Sequence, residues 1–541
     1  MNTRLLLIAA LSTAALTMSA QAAFDAMKLS ETELRGTSRS MSMAGAYTAV
    51  GGDISTLNQN PGGIGIYRSS DVGITMSLDF NKDRMGLDGG SPNKTNFVVN
   101  NIGYVGAMKI DSDILRNFNW GFSYNRINQF RRHYTGSQNL ATSMSNYMAD
   151  AANRGGWTEN DLSSENNAYY SSAGAPWGCI GAYNSYMINP YTMGDGKTLF
   201  GGLMGQGTTG YGEYEVDEWG HTDEYSITLG GNFKNVVYWG MGVGITDLHY
   251  NSYTYYGEAL NGSYQVENTE SANIVQGNSS WGWENFMSTS GTGYNFKFGV
   301  ILKPVNEFRI GLAFHTPTYY DLRDRYGTVS SYQYSSDAQK TFEGTEYFGG
   351  NKYADNETHY RLYTPWRFMA GVAGVIGKSG MISADYEYVG YQTLRLGDRG
   401  GYKWEDVTAD VKDYFTASHI LRVGGEYRVS PAFSLRAGYS YQTSPVKEEI
   451  KNGSYGVNTV SSNPSYRYDN TTQYITCGFG YRYKAFYLDM AYVHQARKGN
   501  YHAFSPSYWL DNNNVEQVDY GVMDEVKTHN NKVSLTLGVR F

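Results

Sequence analysis

The chain has 541 residues, with 49 Tyr, 64 Gly, only 11 Pro and a net charge of −8. With this negative balance, and with acidic and basic residues spread along the chain, the sequence shows no basic footprint for nucleic acid, and we expect no nucleic-acid partner. The mean hydropathy is −0.48, and no apolar run of about 18 residues follows the N-terminal region, which excludes membrane-spanning helices there.

The first 22 residues, MNTRLLLIAALSTAALTMSAQA, have the order of a secretory signal peptide. Arg4 precedes a short apolar stretch, and the small residues Ala20 and Ala22 frame a cleavage site. The alternative is an N-terminal membrane anchor, but the apolar stretch is shorter than the roughly 20 residues that spanning requires. We therefore expect export, with cleavage near Ala22.

Residues 23–68 precede any strand-like pattern and are rich in small residues. The stretch 38–64 reads SRSMSMAGAYTAVGGDISTLNQNPGGI. Small residues allow close packing against a wall, Pro61 fixes a turn, and Gly62 supplies permissive dihedral angles. The side chains of Asn58 and Asn60 can satisfy nearby backbone groups. We predict a hatch inside a barrel, formed with Asp53, which either gates the lumen or only fills it.

From residue 69 onwards, apolar and polar residues alternate with the period of a β-strand in fourteen segments. Because only one face of each strand must be apolar in a membrane barrel, polar mean hydropathy is no objection to this interpretation. The segments lie at about 70–80, 96–109, 117–129, 224–235, 236–251, 294–302, 308–316, 366–376, 381–391, 419–429, 433–443, 473–483, 486–496 and 531–541.

Charged residues interleave with the apolar positions of these segments. Examples are Lys297 between two phenylalanines, and Asp385 and Glu387 among tyrosines. A charge that faces lipid at the midplane costs about 2–4 kcal/mol, so these side chains should face the lumen. We expect each of them to be a paired residue of the wall.

The connections alternate between short and long. Short links such as 303–307 and 430–432 alternate with long stretches at about 131–222, 253–291, 320–357, 396–416, 444–471 and 498–527. Tight periplasmic turns and long external loops are typical of outer-membrane barrels. The stretch 139–154 inside the first long loop predicts a short helix. The sequence therefore predicts an all-β fold, a monomeric 14-stranded antiparallel transmembrane barrel over residues 69–541.

With an even number of strands, the first strand begins and the last strand ends at the periplasmic side. The last strand can then pair with the first and close the barrel. The chain ends on the aromatic Phe541 of an alternating strand. Such an ending resembles the signal that the bacterial barrel-assembly machinery reads. Outer-membrane lipid is the expected surrounding.

The hatch stretch resembles the N-terminal signature of the FadL/OmpP1/TodX-like outer-membrane transporters of long-chain fatty acids and aromatic hydrocarbons. That signature is a small-residue stretch, an acidic position and Asn-Pro-Ala. It corresponds here to residues 44–49, Asp53 and Asn60-Pro61-Gly62, with Gly62 as the departure. The segments RVGGEYRVSPAFSLRAGYSY and YRYKAFYLDMAYVH also resemble late strands of the family.

The resemblance implies passive transport of a hydrophobic small molecule. In such proteins an external groove captures the solute, an apolar pocket receives it, and a kink in an early strand opens a side exit. The second segment changes phase at Asn100 and Asn101, before Gly103. These residues are our candidate for the kink, and an ordinary barrel bulge is the alternative.

The sequence gives no metal-ligand spacing among its nine His, no nucleotide-binding loop and no Ser/His/Asp set. We therefore expect no cofactor and no metal, and assign no catalytic residue. Two alternatives stay open: a barrel that shuttles or holds secreted proteins, which shares a similar N-terminus, and a membrane-embedded hydrolase.

A further sequence-based prediction concerns the last strand. Leu537→Arg should impair insertion at a cost of about 2–4 kcal/mol if the residue is mid-membrane. Thr536→Arg should be milder because Thr536 is expected to face the lumen.

Overall fold

The computed structural model describes residues 22–541, apart from 86–88, 91–93, 167, 171–173, 193–195, 269–272, 337–340, 349–355, 378, 454, 461 and 511–515. The predicted signal peptide at 1–22 therefore lies outside the described residues, except for Ala22. Among the residues described, no helix has both the length and the apolar character needed to cross a bilayer.

Fourteen antiparallel strands form one closed sheet. Strand β1 pairs with β14 from Asp71–Arg540 to Met85–Val526, so the barrel has no free edge there. The strands are β1 Asp71–Met85, β2 Lys94–Lys109, β3 Leu115–Asn139, β4 Thr209–Phe233, β5 Val237–Asn268, β6 Asn273–Val305, β7 Phe308–His315 continued by Tyr319–Ser336, β8 Asn356–Tyr363 continued by Trp366–Ile376, β9 Gly380–Gly390, β10 Ala417–Arg428, β11 Phe433–Thr443, β12 Tyr466–Tyr483, β13 Phe486–His502 and β14 Met523–Arg540.

The two faces of the wall differ as the alternation predicted. In β14, Leu537 is 42% exposed on the outer face, whereas Thr536 is 1% exposed on the lumenal face. Lys297, Asp385 and Glu387 are likewise buried inside the barrel. The outside is apolar because lipid surrounds it, and the charges are kept in the lumen, where partners can neutralise them.

Several strands extend far beyond the bilayer into stretches that the sequence analysis assigned to loops. Strands β5 and β6 remain paired up to Asn268–Asn273, through most of the predicted loop at 253–291. The first long loop shrinks from 131–222 to 140–208, because β3 and β4 pair up to Asn139–Tyr211. The external strand ends are rich in Tyr, Ser and Asn. Apolar and polar residues do not alternate there, so the two-residue period of a strand cannot be recognised in the sequence.

The remaining elements are short. Helix α4 carries Ser143 as its N-cap and confirms the helix predicted within 139–154. The helices are α1 Ala23–Leu29, α2 Ser38–Ser42, α3 Thr56–Gln59, α4 Met144–Gly155, α5 Glu159–Leu162, α6 Trp177–Asn184, α7 Glu405–Tyr414 and α8 Glu448–Lys451, with 3-10 turns at Pro61–Ile66, Ser164–Asn166, Ala168–Tyr170 and Tyr391–Thr393. Short strands are Gly89–Gly90, Asn189–Thr192, Thr198–Gly201, Thr341–Phe348, Arg395–Gly397, Ser507–Leu510 and Glu516–Asp519.

Residues 140–208 and the neighbouring strand ends form an extracellular cap with its own apolar core. The N-terminal segment before β1 lies inside the barrel as a hatch. It begins at the external end, where α1 packs against α7. It then descends through the lumen to the periplasmic end, where Arg540 of β14 donates to the carbonyl of Gly52 at 3.0 Å.

Candidate functional site

The hatch rests directly on the backbone of the barrel wall, at positions where the wall presents glycine. An added Cβ at Gly240 would lie 2.1 Å from the carbonyl oxygen of Pro61, and one at Gly311 would lie 2.1 Å from that of Thr48. Other lumenal glycines that contact the hatch are Gly103, Gly230, Gly299, Gly371, Gly424, Gly438 and Gly478. The sequence analysis missed this belt, although the recurrence of Gly at lumenal positions of successive strands was its visible signal.

Asn60 and the two residues after it form the tightest part of this contact. Asn60 is fully buried, its Nδ2 donates to the carbonyl of Thr48 at 2.6 Å, and its Oδ1 accepts from the Gly62 amide at 3.0 Å. Pro61 starts the 3-10 turn that follows. Gly62 has no left-handed φ; an added Cβ there would lie 2.9 Å from Gly299. Close approach, and not the permissive dihedral angles expected from the sequence, therefore requires glycine at this position.

Asp53 and Asn58 occupy different places in the hatch. The Asp53 carboxylate accepts from the Thr37 hydroxyl at 2.7 Å and from the Ser55 amide at 2.9 Å, so it ties two hatch segments together. The Asn58 side chain accepts from the Lys297 ammonium of β6. Asn58 was expected to satisfy backbone groups; in the structure it instead links the hatch to a charged residue of the wall.

The lumen holds a cavity of about 180 Å³, which is bordered by hatch residues on the inside and by the barrel wall. Arg367 and Arg422 share Glu387 across it, each at 2.5 Å. A second cluster is centred on Glu33, which binds Lys532 at 3.0 Å and two arginines. The apolar lumenal pocket that the resemblance implied is not found at this level, because the cavity is lined mainly by polar and charged side chains.

An apolar layer lies above this cavity and is filled by α1. The Phe24 ring of α1 is 4% exposed and is surrounded by an aromatic cage. The cage consists of Phe415 and Tyr466 with ring centroids at 5.1 Å, Tyr414 at 5.9 Å and Tyr468 at 6.2 Å. Sequence reasoning did not find the cage, because its members come from β12 and from the end of α7.

The barrel wall is incomplete between β2 and β3. The ladder between them runs only from Lys109–Asn117 to Asn101–Asn125, whereas β2 stays paired with β1 up to Lys94–Asn81. In the described part of the chain, residues 94–100 of β2 therefore have no ladder partner on β3. We call the space between them and residues 126–130 of β3 the wall gap.

The three candidate kink residues have distinct positions at this gap. Asn100 is the extra residue of a bulge, because Thr75 pairs with Asn101 and the next residue of β1 pairs with Val99. Asn101 ends the β2–β3 ladder, and its Nδ2 donates to the Asn125 side chain at 2.7 Å. Gly103 is regularly paired and touches the hatch instead. The sequence thus located the irregularity itself, but not the break in the wall beside it.

The wall gap borders the lumenal cavity, and the hatch lies across it. Asn125, Arg126 and Ile127 of β3 line the cavity together with hatch residues 33–35. The amide of Glu33 donates to the carbonyl of Ile127 at 3.0 Å. A small movement of this hatch segment would therefore connect the cavity with the outer face of the barrel.

Comparisons with known proteins agree with this architecture. A family model described as outer membrane protein transport protein (OMPP1/FadL/TodX) matches residues 224–501. No curated protein sequence matched the chain. A solved Pseudomonas aeruginosa FadL homologue is similar in fold at 12% identity, with a TM-score of 0.50, covering 94% of this chain and 99% of that one.

Two structures described as toluene transporters are also similar. The P. putida protein TodX has 11% identity and a TM-score of 0.44, with 94% of this chain and 99% of that chain covered. The Ralstonia pickettii protein TbuX has 11% identity and a TM-score of 0.43, with 94% and 98% covered.

Proposed function

This chain belongs to the OMPP1/FadL/TodX family of outer membrane transport proteins, and on that premise we propose that it carries hydrophobic small molecules such as long-chain fatty acids by passive diffusion. Family membership makes it a transport channel of the outer membrane and not an enzyme. The observation that carries the proposal is the wall gap, because it lies beside the lumenal cavity and only the hatch segment 33–35 separates the cavity from the membrane side of the barrel there.

Capture would take place at the aromatic cage. Phe24 fills the cage as a residue of the chain itself, and an alkyl chain is an apolar group that could replace it. Burying apolar surface stabilises by about 25 cal/mol per Å², so a long acyl chain can offset the contacts that Phe24 loses. Helix α1 would then leave the layer and open the way to the cavity below.

The polar cavity favours an amphipathic solute over a pure hydrocarbon. Arg422 lines it, and its Nη1 has no hydrogen-bond partner and is buried. An unpaired buried donor is costly, and a guanidinium binds a carboxylate well. A fatty acid supplies that carboxylate, whereas toluene, which TodX and TbuX are described as transporting, does not.

Exit would follow the wall gap into the outer leaflet. Asn100 forms the bulge and Asn101 ends the β2–β3 ladder. The gap is therefore already present in the folded barrel, and no pair of strands has to separate to form it. The hatch segment 33–35 must move, because it lies across the gap. Residues up to Ser38 would move with it. The hatch from residue 53 onwards would stay anchored through Asp53, Asn58, Asn60, Pro61 and Gly62.

The proposal includes the chain's processing and assembly. Cleavage near Ala22 would leave residues 23–68 as the hatch and 69–541 as a monomeric barrel. The assembly machinery would recognise Phe541, whose ring is 67% exposed while its backbone amide binds Ser70 at 3.0 Å.

A disulfide tether tests both transport and the role of the hatch. The hydroxyls of Ser38 in the hatch and Ser534 in β14 lie 2.9 Å apart, which suits a disulfide after substitution of both by Cys. The background is Cys179→Ala/Cys477→Ala, because both native thiols are free. Cells without their own fatty-acid transporter receive the variant, and uptake of labelled oleate is measured.

We expect oleate uptake that depends on the protein, is lost on oxidation and returns on reduction. The Ser38→Cys single variant is the control and should be insensitive to oxidant. Uptake that persists in fully oxidised double variant would contradict a mobile hatch. Absence of uptake, together with exported proteins copurifying stoichiometrically, would favour the shuttle for secreted proteins.

A further inference from the structure

The periplasmic end of the lumen, below the hatch, holds a second cavity of about 570 Å³. Seven arginines line it, with Glu426 as the one acidic residue among its lining residues. This is a positive surplus of six in a chain whose net charge is −8. The seven are Arg39, Arg68, Arg309, Arg428, Arg436, Arg482 and Arg540.

Three of these arginines are neutralised by carboxylates of the protein. Arg39 and Arg436 share Glu426 at 3.0 and 2.5 Å, Arg436 also pairs with Asp489 at 2.6 Å, and Arg540 pairs with Asp71 at 2.9 Å. The Glu426 pairs connect the hatch with β10 and β11, and the Arg540–Asp71 pair connects β14 with β1. These ion pairs hold the elements together at this end of the barrel. The other four arginines take no part in them.

The other four, which we call the free arginines, have no carboxylate at ion-pair distance within the described ranges. They are Arg68 of the hatch, Arg309 of β7, Arg428 at the end of β10 and Arg482 near the end of β12. Arg309 Nη1 donates to the Val50 carbonyl at 2.6 Å, and its buried Nε has no hydrogen-bond partner. Arg309 is half-buried, whereas Arg68, Arg428 and Arg482 are exposed at the mouth of the cavity. Water weakens the repulsion between these four like charges, and an anion between them would relieve what remains of it.

We propose that this cavity binds a small molecule with two or more anionic groups, either carboxylates or phosphates. Guanidinium groups bind both kinds of oxyanion bidentately, and four of them exceed what a single carboxylate can occupy. The ligand would enter from the periplasm, which the cavity faces. Because Arg68 belongs to the hatch and Arg309 holds Val50, the site is complete only while the hatch is seated.

The site goes beyond the proposed transport. The wall gap lies in the external half of the barrel, on the other side of the hatch, so a solute that leaves there never meets the free arginines. Failure of one proposal therefore leaves the other untouched: anion binding is measured directly on the purified chain, and transport by oleate uptake.

Calorimetric titration of the full chain in detergent tests the site, with inorganic pyrophosphate and citrate as probes. The variant is Arg428→Gln/Arg482→Gln, which removes two free arginines. The control is Lys109→Gln/Arg116→Gln, which removes two positive charges at the same end of the barrel but outside the cavity. We expect saturable binding whose Kd rises at least about ten-fold in the variant and stays within about two-fold in the control.

Decanoate, a single carboxylate, distinguishes a free periplasmic anion from the head group of a transported fatty acid. Stronger binding of pyrophosphate or citrate than of decanoate supports the proposal. Equal binding of decanoate overturns the requirement for two anionic groups. No saturable binding of any probe, or an equal loss of affinity in the control, overturns the site itself.

Discussion

Asn60 shows how a single side chain fixes the hatch. It provides both a donor and an acceptor to backbone groups that the barrel keeps from water. The side chain of neighbouring Asn58 accepts from Lys297, which retains Glu224 as a partner without it. Two asparagines two residues apart thus differ in their effect on the hatch, although both were predicted to satisfy backbone groups.

Asn60→Ala should loosen the hatch without unfolding the barrel. The Thr48 carbonyl and the Gly62 amide would lose their buried partner, at about 1–3 kcal/mol each. Hydrogen exchange followed by mass spectrometry should show faster exchange in peptides covering 44–66. Asn58→Ala is the matched control and should change this exchange far less; equal acceleration in both variants would refute the distinction.

Leu537→Arg should lower the unfolding free energy of the barrel in lipid vesicles, by about 2–4 kcal/mol if the residue is mid-membrane and by less nearer the periplasmic interface, because it places a charge on the lipid face. Leu537→Ala, which removes apolar surface without adding charge, should cost less. Urea titration followed by tryptophan fluorescence measures both. A smaller cost for Arg than for Ala would mean that the two faces are assigned the wrong way round.

The structure revises the expectation for Thr536→Arg. The Thr536 hydroxyl accepts from the Ser38 amide at 2.7 Å and lies 2.7 Å from the Thr75 hydroxyl. An arginine there would push α2 out of its place. The lumenal face was predicted correctly from the alternation, but the hatch contact depends on residues nearly 500 positions apart, which no local pattern reveals.

At the scale of elements, the extracellular cap depends on a buried carboxylate. Glu258, in the external extension of β5, accepts from the Met144 amide at 2.8 Å and from the Tyr256 hydroxyl at 2.8 Å. The Met144 amide belongs to the first turn of α4, so Glu258 fixes the start of that helix. Burial raises the pKa of Glu258 to about 7, although these hydrogen bonds oppose the rise.

This raised pKa makes the seating of the cap depend on pH. A carboxyl whose pKa is higher in the folded state is stabilised there in its protonated form. The attachment of α4 should therefore be strongest below pH 4.5 and weaken as the pH rises towards 7, by up to about 3 kcal/mol.

Hydrogen exchange of peptides covering 144–155, corrected for intrinsic rates, should accordingly be faster at pH 7.5 than at pH 5. Glu258→Gln should abolish the difference, because the amide does not titrate. A difference of the same size in Glu258→Gln would assign the effect to another group.

The strands were the most predictable elements. All fourteen were found from the two-residue period, because each crosses lipid and must present apolar residues at every second position. Their external extensions were not found, since water surrounds them and the period disappears. The bulge at Asn100 was visible because an extra residue shifts the phase inside a periodic segment.

At the scale of the whole molecule, the lumen consists of three layers closed in series. The aromatic cage filled by Phe24 is the outermost layer. The polar cavity, with the ion pairs of Glu387, is the middle layer. The hatch closes the periplasmic side. The wall gap opens beside the middle layer. On the proposed route, a solute would leave sideways through the wall gap while the hatch keeps the axis of the barrel filled.

The sequence predicted the outline of this arrangement but not its interior. The motif from Asp53 to Gly62 indicated a hatch, and Asn100 indicated the irregular strand. The ion pairs of the lumen join residues from distant strands, such as Glu33 with Lys532. Their pairing follows from the barrel's closure and register, which are properties of the fold and not of any local stretch.

Deletion of Asn100 tests the central claim, that solute leaves through the wall gap. The deletion removes the bulge and keeps every other residue of β2 on its present face, because Val98 and Val99 already pair regularly with β1. Strand β2 can then run straight beside β3 and close the gap. Oleate uptake should fall to the background of cells without the protein, while heat-modifiable gel mobility still reports a folded barrel. Asn100→Ala, which keeps the extra residue, should retain uptake; full uptake by the folded deletion variant would contradict the account.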